Sequence, residues 1–164
     1  MNSPVCTVRS PKECSPEELR EFVDLVRAGG EVAYTGLADR VQKAHSLAYL
    51  KDDETLIGIA GLKFPSQNHR SEVANGAQVY LHEHALPLEL GWVYVLPSER
   101  GGKSYLLCEA LISNAKGAGV FATSREGNKA MHCTLGKLGF NRQGSDWPSG
   151  QNPENLWLFI KNTA

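Results

Sequence analysis

The sequence predicts an α/β chain, an α+β sandwich in which a mixed central sheet is flanked by helices. Two observations predict it. Segments of helical and of strand-like apolar spacing alternate along the chain. One stretch, Glu89 to Lys116, reads as strand, glycine turn and helix in direct succession. A chain of 164 residues is enough for one sizeable core, so 1–164 is expected to be a single domain. With 41% hydrophobic and 21% charged residues, the composition is ordinary for a soluble globular protein. A net charge of −1 makes no electrostatic case for nucleic acid or for an anionic membrane as partner.

Val5 to Val8 is a first strand. Ser15-Pro16-Glu17-Glu18 is a capping box with proline at the first helical position. Leu19, Phe22, Val23, Leu25 and Val26 give that helix its apolar stripe, and Gly29-Gly30 stops it. Leu37 to Ala44 reads as a second helix. Ser46–Leu50 and Thr55–Phe64 read as strands around the polar turn Lys51-Asp52-Asp53-Glu54. Pro65 to Gly76 is polar and reads as an insertion or substrate-side loop. Gln78 to His84 reads as a further strand or an extension. Gly117–Ser124 is a strand, Lys129–Leu138 a helix stopped by Gly139, and Phe140–Gln143 and Leu156–Lys161 are closing strands. Gly144–Asn155 reads as a long loop holding Asp146 and Trp147.

Within the organising stretch, Trp92 to Val95 form the strand and Pro97 ends it, since proline cannot donate to a ladder. Arg100-Gly101-Gly102-Lys103-Ser104 makes the turn, and Tyr105, Leu106, Cys108, Leu111 and Ile112 recur near helical spacing. The first N–H groups of a helix lack partners and point into such a turn. Glycines let the backbone approach closely, and Arg100 and Lys103 add positive charge. A phosphate-bearing ligand is implied, and a pyrophosphate fits best.

This stretch resembles the cofactor motif of the GNAT superfamily, the acyl-CoA-dependent N-acyltransferases. Val95-Leu96-Pro97-Ser98-Glu99-Arg100-Gly101 matches that motif without a gap. The turn after it is one residue short, with Gly102 at the central glycine position and Ser104 in place of the last small residue. Asn128 and Leu138-Gly139-Phe140 resemble a second family element, at the family's spacing. The resemblance implies acetyl-CoA as co-substrate, no metal, and an amine-bearing acceptor. It implies that the backbone of Val93, Tyr94 and Val95 pairs with the pantetheine arm, that Gly101, Gly102, Lys103, Ser104 and Tyr105 hold the pyrophosphate with Arg100, and that Asn128 bonds the cofactor arm. A helix N-cap is the other role for Asn128.

Transfer of an acyl group to an amine needs a held cofactor, a proton acceptor and a leaving thiolate. Glu89 lies six residues before Val95, where some members of the family place a basic glutamate. It is expected either as that base or as a solvated residue at a strand start. His82 and His84 face one side of any strand through them. Without a third ligand they read as surface residues rather than a metal or relay site. His45 reads as a residue favouring a helix dipole. Leu135 occupies the family's usual tyrosine position, so the general acid is not the expected one. His132 stands one turn from both Asn128 and Leu135 and is the named substitute, with Tyr94, Ser124 and water as the alternatives.

The enzyme reading competes with a second class, a catalytically degenerate acyl-CoA-binding module with a regulatory or assembly role. A thiol-dependent enzyme using Cys108 or Cys133 is a weaker third, since the four cysteines form no C-x-x-C pair. Met1 to Ser10 has no apolar signal core, so a reducing cytoplasm is expected. A homodimer is compatible with the sequence. Acceptor specificity is expected in Gly29–Leu37, Pro65–Gly76 and Gly144–Asn155.

Overall fold

The computed structural model describes residues 3–30, 35–150 and 153–163. Its strands are β1 (Val5–Arg9), β2 (Ser46–Asp52), β3 (Thr55–Lys63), β4 (Leu88–Val95), β5 (Val120–Arg125), β6 (Asn141–Pro148) and β7 (Asn155–Lys161). Its helices are α1 (Pro16–Gly29), α2 (Leu37–Gln42), α3 (Gln67–Ala77), α4 (Lys103–Asn114) and α5 (Lys129–Lys137). The strands form one mixed sheet in the order β1-β2-β3-β4-β5-β7-β6. β4 and β5 pair in parallel, while β1–β2, β2–β3, β5–β7 and β6–β7 are antiparallel. Among the described residues no helix is long and apolar enough to cross a membrane. By contacts the chain divides into two compact units, Met1–Lys63 with Leu90–Lys116, and Phe64–Glu89 with Gly117–Ala164.

In the first unit α1 begins where the capping box places it. The Ser15 hydroxyl accepts the Glu18 N–H at 3.1 Å, and the Glu18 carboxylate accepts the Ser15 N–H at 2.9 Å. Gly30 ends the helix in the left-handed conformation, φ 69°. The buried face of Phe22, Val23 and Val26 packs on Leu37 and Val41 of α2, Leu47 and Tyr49 of β2, Ile59 of β3 and Trp92 of β4. Full burial of a side chain such as Phe22 contributes about 2 kcal/mol. On α4 the buried residues are Leu107, Cys108 and Leu111, whereas Leu106 is 41% exposed. Cys108 and Leu111 of the stripe read from the sequence are buried, while Leu107 takes the place of Leu106, because periodicity alone does not choose between adjacent leucines.

β4 carries an irregularity. Trp92 has φ 53°, a left-handed value that is strained for a residue with a large side chain. Packing holds it there. Its ring meets Phe22 edge-on at 5.8 Å, the ammonium of Lys63 lies 5.0 Å from its centroid, and Gly61 leaves it room.

The second unit departs most from the sequence reading. The segment 65–76, expected as a loop, carries helix α3. Ser66 caps it by accepting the His69 N–H at 3.1 Å. Its buried positions are Arg70, Val73 and Ala77. Val73 and Ala77 pack with Leu81, Leu86, Phe121, Leu158 and Ile160. The strand expected over Gln78–His84 is absent. Gln78 turns the chain with φ 58°, and Arg70 pins the connection to β4 by donating to the carbonyls of Leu81 (3.4 Å) and Leu86 (2.9 Å). The first part of the loop expected from Gly144 is strand. β6 runs to Pro148 with an irregularity between Gln143 and Trp147, so Asp146 and Trp147 belong to a strand.

Candidate active site

Within the first unit the expected cofactor residues are contiguous. Val93, Tyr94 and Val95 end β4, a short 3-10 turn comes next at Pro97–Glu99, and α4 opens at Lys103. The β4–β5 ladder consists of Leu88↔Val120 and Glu89↔Phe121, so Val93 to Val95 take no part in it. Gly101 and Gly102 have φ 131° and 77°, values that call for glycine, and a Cβ on either would meet nothing within 4 Å. The turn is therefore open on the outside. Ser15, Ser66 and Asn128 cap α1, α3 and α5 with side-chain oxygens, whereas Gly102 gives α4 no side-chain cap. The helix opens on Lys103, Ser104 and Tyr105, whose N–H groups are the first of α4.

The charged residues of the turn brace it. Arg100 donates Nε–H to the Val95 carbonyl at 3.2 Å, and its guanidinium lies 5.9 Å from the Tyr94 ring. Lys103 is 3.7 Å from Glu99, a long pair of small energetic weight. The Tyr105 hydroxyl donates to Glu109 at 2.7 Å, and that hydrogen bond raises the phenol above its ordinary range.

Within the second unit Glu89 is not a solvated residue. Its side chain is 4% exposed, and its Oε2 lies 2.9 Å from Nε2 of His69, whose side chain is 39% exposed. Sequence reasoning missed His69 altogether. It sits twenty positions before Glu89, on a helix that was expected to be a loop. The one available signal was Ser66, an N-cap residue three places ahead of it.

Asn128 caps α5, its Oδ1 accepting the Met131 N–H at 3.2 Å. His132 on the next turn stacks on Trp157 at 4.7 Å and 16°, and its Nε2 lies 2.9 Å from the Arg125 carbonyl. A carbonyl only accepts, so Nε2 carries the proton and gives it to the backbone. Leu135 is fully buried.

The remaining candidates fall away. His82 and His84 lie in a turn, with the His84 N–H donating to His82 Nδ1 at 3.1 Å, not side by side on a strand. His45 pairs through Nδ1 with the Ser46 hydroxyl at 3.0 Å. Burial first, then Lys116, pushes its ring below the ordinary range, so it favours the neutral form rather than serving a helix dipole. Cys108 is buried and pushed up to about 12, chiefly by desolvation, which disqualifies it as a nucleophile. Among the described residues no three His, Cys, Asp or Glu side chains form a group able to hold a metal ion. The segments 31–34 and 151–152, inside two of the expected acceptor regions, lie outside the described residues.

A cleft of about 400 Å³ is lined by Gln67, Arg70, Ser71, Ala74 and the segment 80–84. Those α3 positions form one helical stripe, and His69 points from another, so this cleft is not at Glu89.

No family model and no curated protein matches the sequence. Solved structures do match the fold. An acyl-CoA N-acyltransferase from Pseudomonas aeruginosa superposes with a TM-score of 0.70 at 14% identity, over 97% of this chain and 99% of that one. A putative acetyltransferase of the GNAT family from Desulfovibrio desulfuricans gives 0.67 at 12% identity, over 99% and 100%. NAA60 of Arabidopsis thaliana, solved in complex with acetyl-CoA, gives 0.69 at 13% identity, over 96% and 98%. At these identities the likeness is one of fold, and the fold of this chain is that of the GNAT acyl-CoA N-acyltransferases.

Proposed function

We propose that this chain is an N-acetyltransferase that moves an acetyl group from acetyl-CoA to a primary amine of a small molecule or protein, by direct attack in a ternary complex. The observation that carries the reading is the start of α4. A helix of twelve residues opens on two outward glycines with no side-chain cap, directly after the strand-proline-arginine block. A helix start of this kind suits a pyrophosphate, and in this reading the backbones of Lys103, Ser104 and Tyr105 hold it. Val93 to Val95 offer backbone groups outside the β4–β5 ladder to an extended arm. Asn128 is assigned to helix capping, with its NH₂ left for the cofactor arm. Bound acetyl-CoA supplies the thioester acyl group.

The amine must shed a proton before it can attack. The pair formed by Glu89 and His69 supplies the acceptor in this reading. His132 is a poor general acid, because its Nε2 proton is committed to a carbonyl. A thiol has a reference pKa near 8.5, so its thiolate leaves and takes a proton from water without an assigned donor.

A degenerate acyl-CoA-binding module is the second reading, and Leu135 favours it, since no proton donor stands at that position. Calorimetry with acetyl-CoA tests the binding that both readings share, and thiol release over a panel of primary amines separates them. Arg100→Ala should weaken binding about five- to tenfold by loosening the turn. Wild type that shows no heat of binding at millimolar acetyl-CoA overturns both.

A further inference from the structure

We propose that the atom taking the proton from the amine is Nδ1 of His69, and that Glu89 is the positioning residue behind it. The inference rests on the acetyltransferase reading and names the base within it.

Exposure decides between the two groups. The Glu89 carboxylate is 4% exposed and the His69 imidazole 39%, so an incoming amine meets the ring first. The contact at 2.9 Å fixes the ring's tautomer. An ionised carboxylate only accepts, so Nε2 carries the hydrogen and donates it to Oε2 of Glu89. Nδ1 is then left with its lone pair, and it has no hydrogen-bond partner among the described residues. A neutral imidazole whose far nitrogen is held by a buried carboxylate is the arrangement that makes imidazole a directed base.

The backbone that carries the ring is tied down as well. His69 is the third residue of α3, and its N–H is tied to the Ser66 hydroxyl at 3.1 Å. Charged residues of α3 and of β6, which packs against it, are engaged elsewhere. Arg70 points at the Leu81 and Leu86 carbonyls, Arg142 of β6 lies 3.6 Å from the Trp157 ring centroid, and Asp146 of β6 accepts from Asn155.

The step balances simply. One N–H bond of the ammonium breaks, an Nδ1–H bond forms, and the electron pair left on the amine nitrogen becomes the nucleophile. The imidazolium is matched by the Glu89 carboxylate until Nδ1–H passes its proton to water.

Nitrogen-15 NMR of the full chain and steady-state kinetics test this together. In wild type near pH 8 the His69 signal, assigned by its loss in His69→Gln, should show the Nε2–H tautomer, and Glu89→Gln should disturb it. His69→Ala should lower kcat roughly a hundredfold with lysine amide, tyramine or spermidine as acceptor, leave the acetyl-CoA Kd unchanged, and recover part of the rate with added imidazole. An Nδ1–H tautomer in wild type overturns the proposal, and so does a His69→Ala enzyme within twofold of the wild-type kcat. Wild type that binds acetyl-CoA but releases no thiol with any of the amines overturns the acetyltransferase reading instead, and this role falls with it.

Discussion

A Cβ placed on Gly61 would lie 2.6 Å from Cε3 of Trp92, so the indole fills space that only glycine leaves open. The ring cannot easily retreat, because Phe22 and the rest of the α1 core hold its other side. Gly61→Ala should therefore lower unfolding stability by about 1–3 kcal/mol. Urea titration at a constant slope measures it. An unchanged midpoint means the ring has somewhere to go.

Arg70 is 7% exposed and is pinned to two carbonyls and the Phe121 face. Arg70→Met keeps the volume and removes the donors. The Leu81 and Leu86 carbonyls lose that donor, and a loss of about 2–3 kcal/mol is expected. Wild-type stability in this variant would show that water replaces the guanidinium.

Leu135 is fully buried on α5. Installing the family tyrosine there overpacks the core, so Leu135→Tyr should lose about 1–3 kcal/mol. Thiol release should not rise. Leu135→Ala should lose about 2–5 kcal/mol through the cavity it leaves. Faster turnover in Leu135→Tyr would mean that the site opens enough to present a hydroxyl.

Glu18 is held below the usual carboxylate range, first by the Ser15 N–H and then by Arg9, whose guanidinium lies 2.7 Å away. A lowered folded pKa stabilises the protein above the unfolded value, near 4.3, and that stability is lost as pH falls through the folded value. Glu18→Gln should thus be less stable than wild type near pH 7, by under about 1 kcal/mol because the pair is partly solvated. The difference should vanish at the acid end. Equal stabilities at pH 7 would remove Glu18 from the account.

Cys133 is exposed, while Cys108 is buried and pushed up to about 12. Iodoacetamide at pH 8 should modify Cys133 in the native protein and leave Cys108 intact until urea is added. Mass spectrometry of the digest reads this directly, and early labelling of Cys108 would show that α4 opens locally.

The helix α1 was legible because its start and stop are written in adjacent residues, Ser15 to Glu18 and Gly30. The turn read over Arg100–Ser104 was legible at Arg100 to Gly102, whereas Lys103 and Ser104 already belong to α4. Helix α3 was not, since one of its three buried positions is an arginine and no apolar stripe announces it. His82 and His84 show the reverse failure, an alternation without a strand beneath it. Glu89 was singled out through the family resemblance, but its contact with His69 came from tertiary structure, and no local pattern encodes a contact twenty residues apart.

α3 packs on β6 and β7 and is spliced into the chain between β3 and β4. In the proposed reading, exchange of that one segment would change which ring faces the acceptor. Val73 and Ala77 pack with Phe121, Leu158 and Ile160, so an exchanged helix has to keep those apolar positions while its exposed face varies. Acceptor chemistry would then be edited in a connection, under the constraint of the core beneath it.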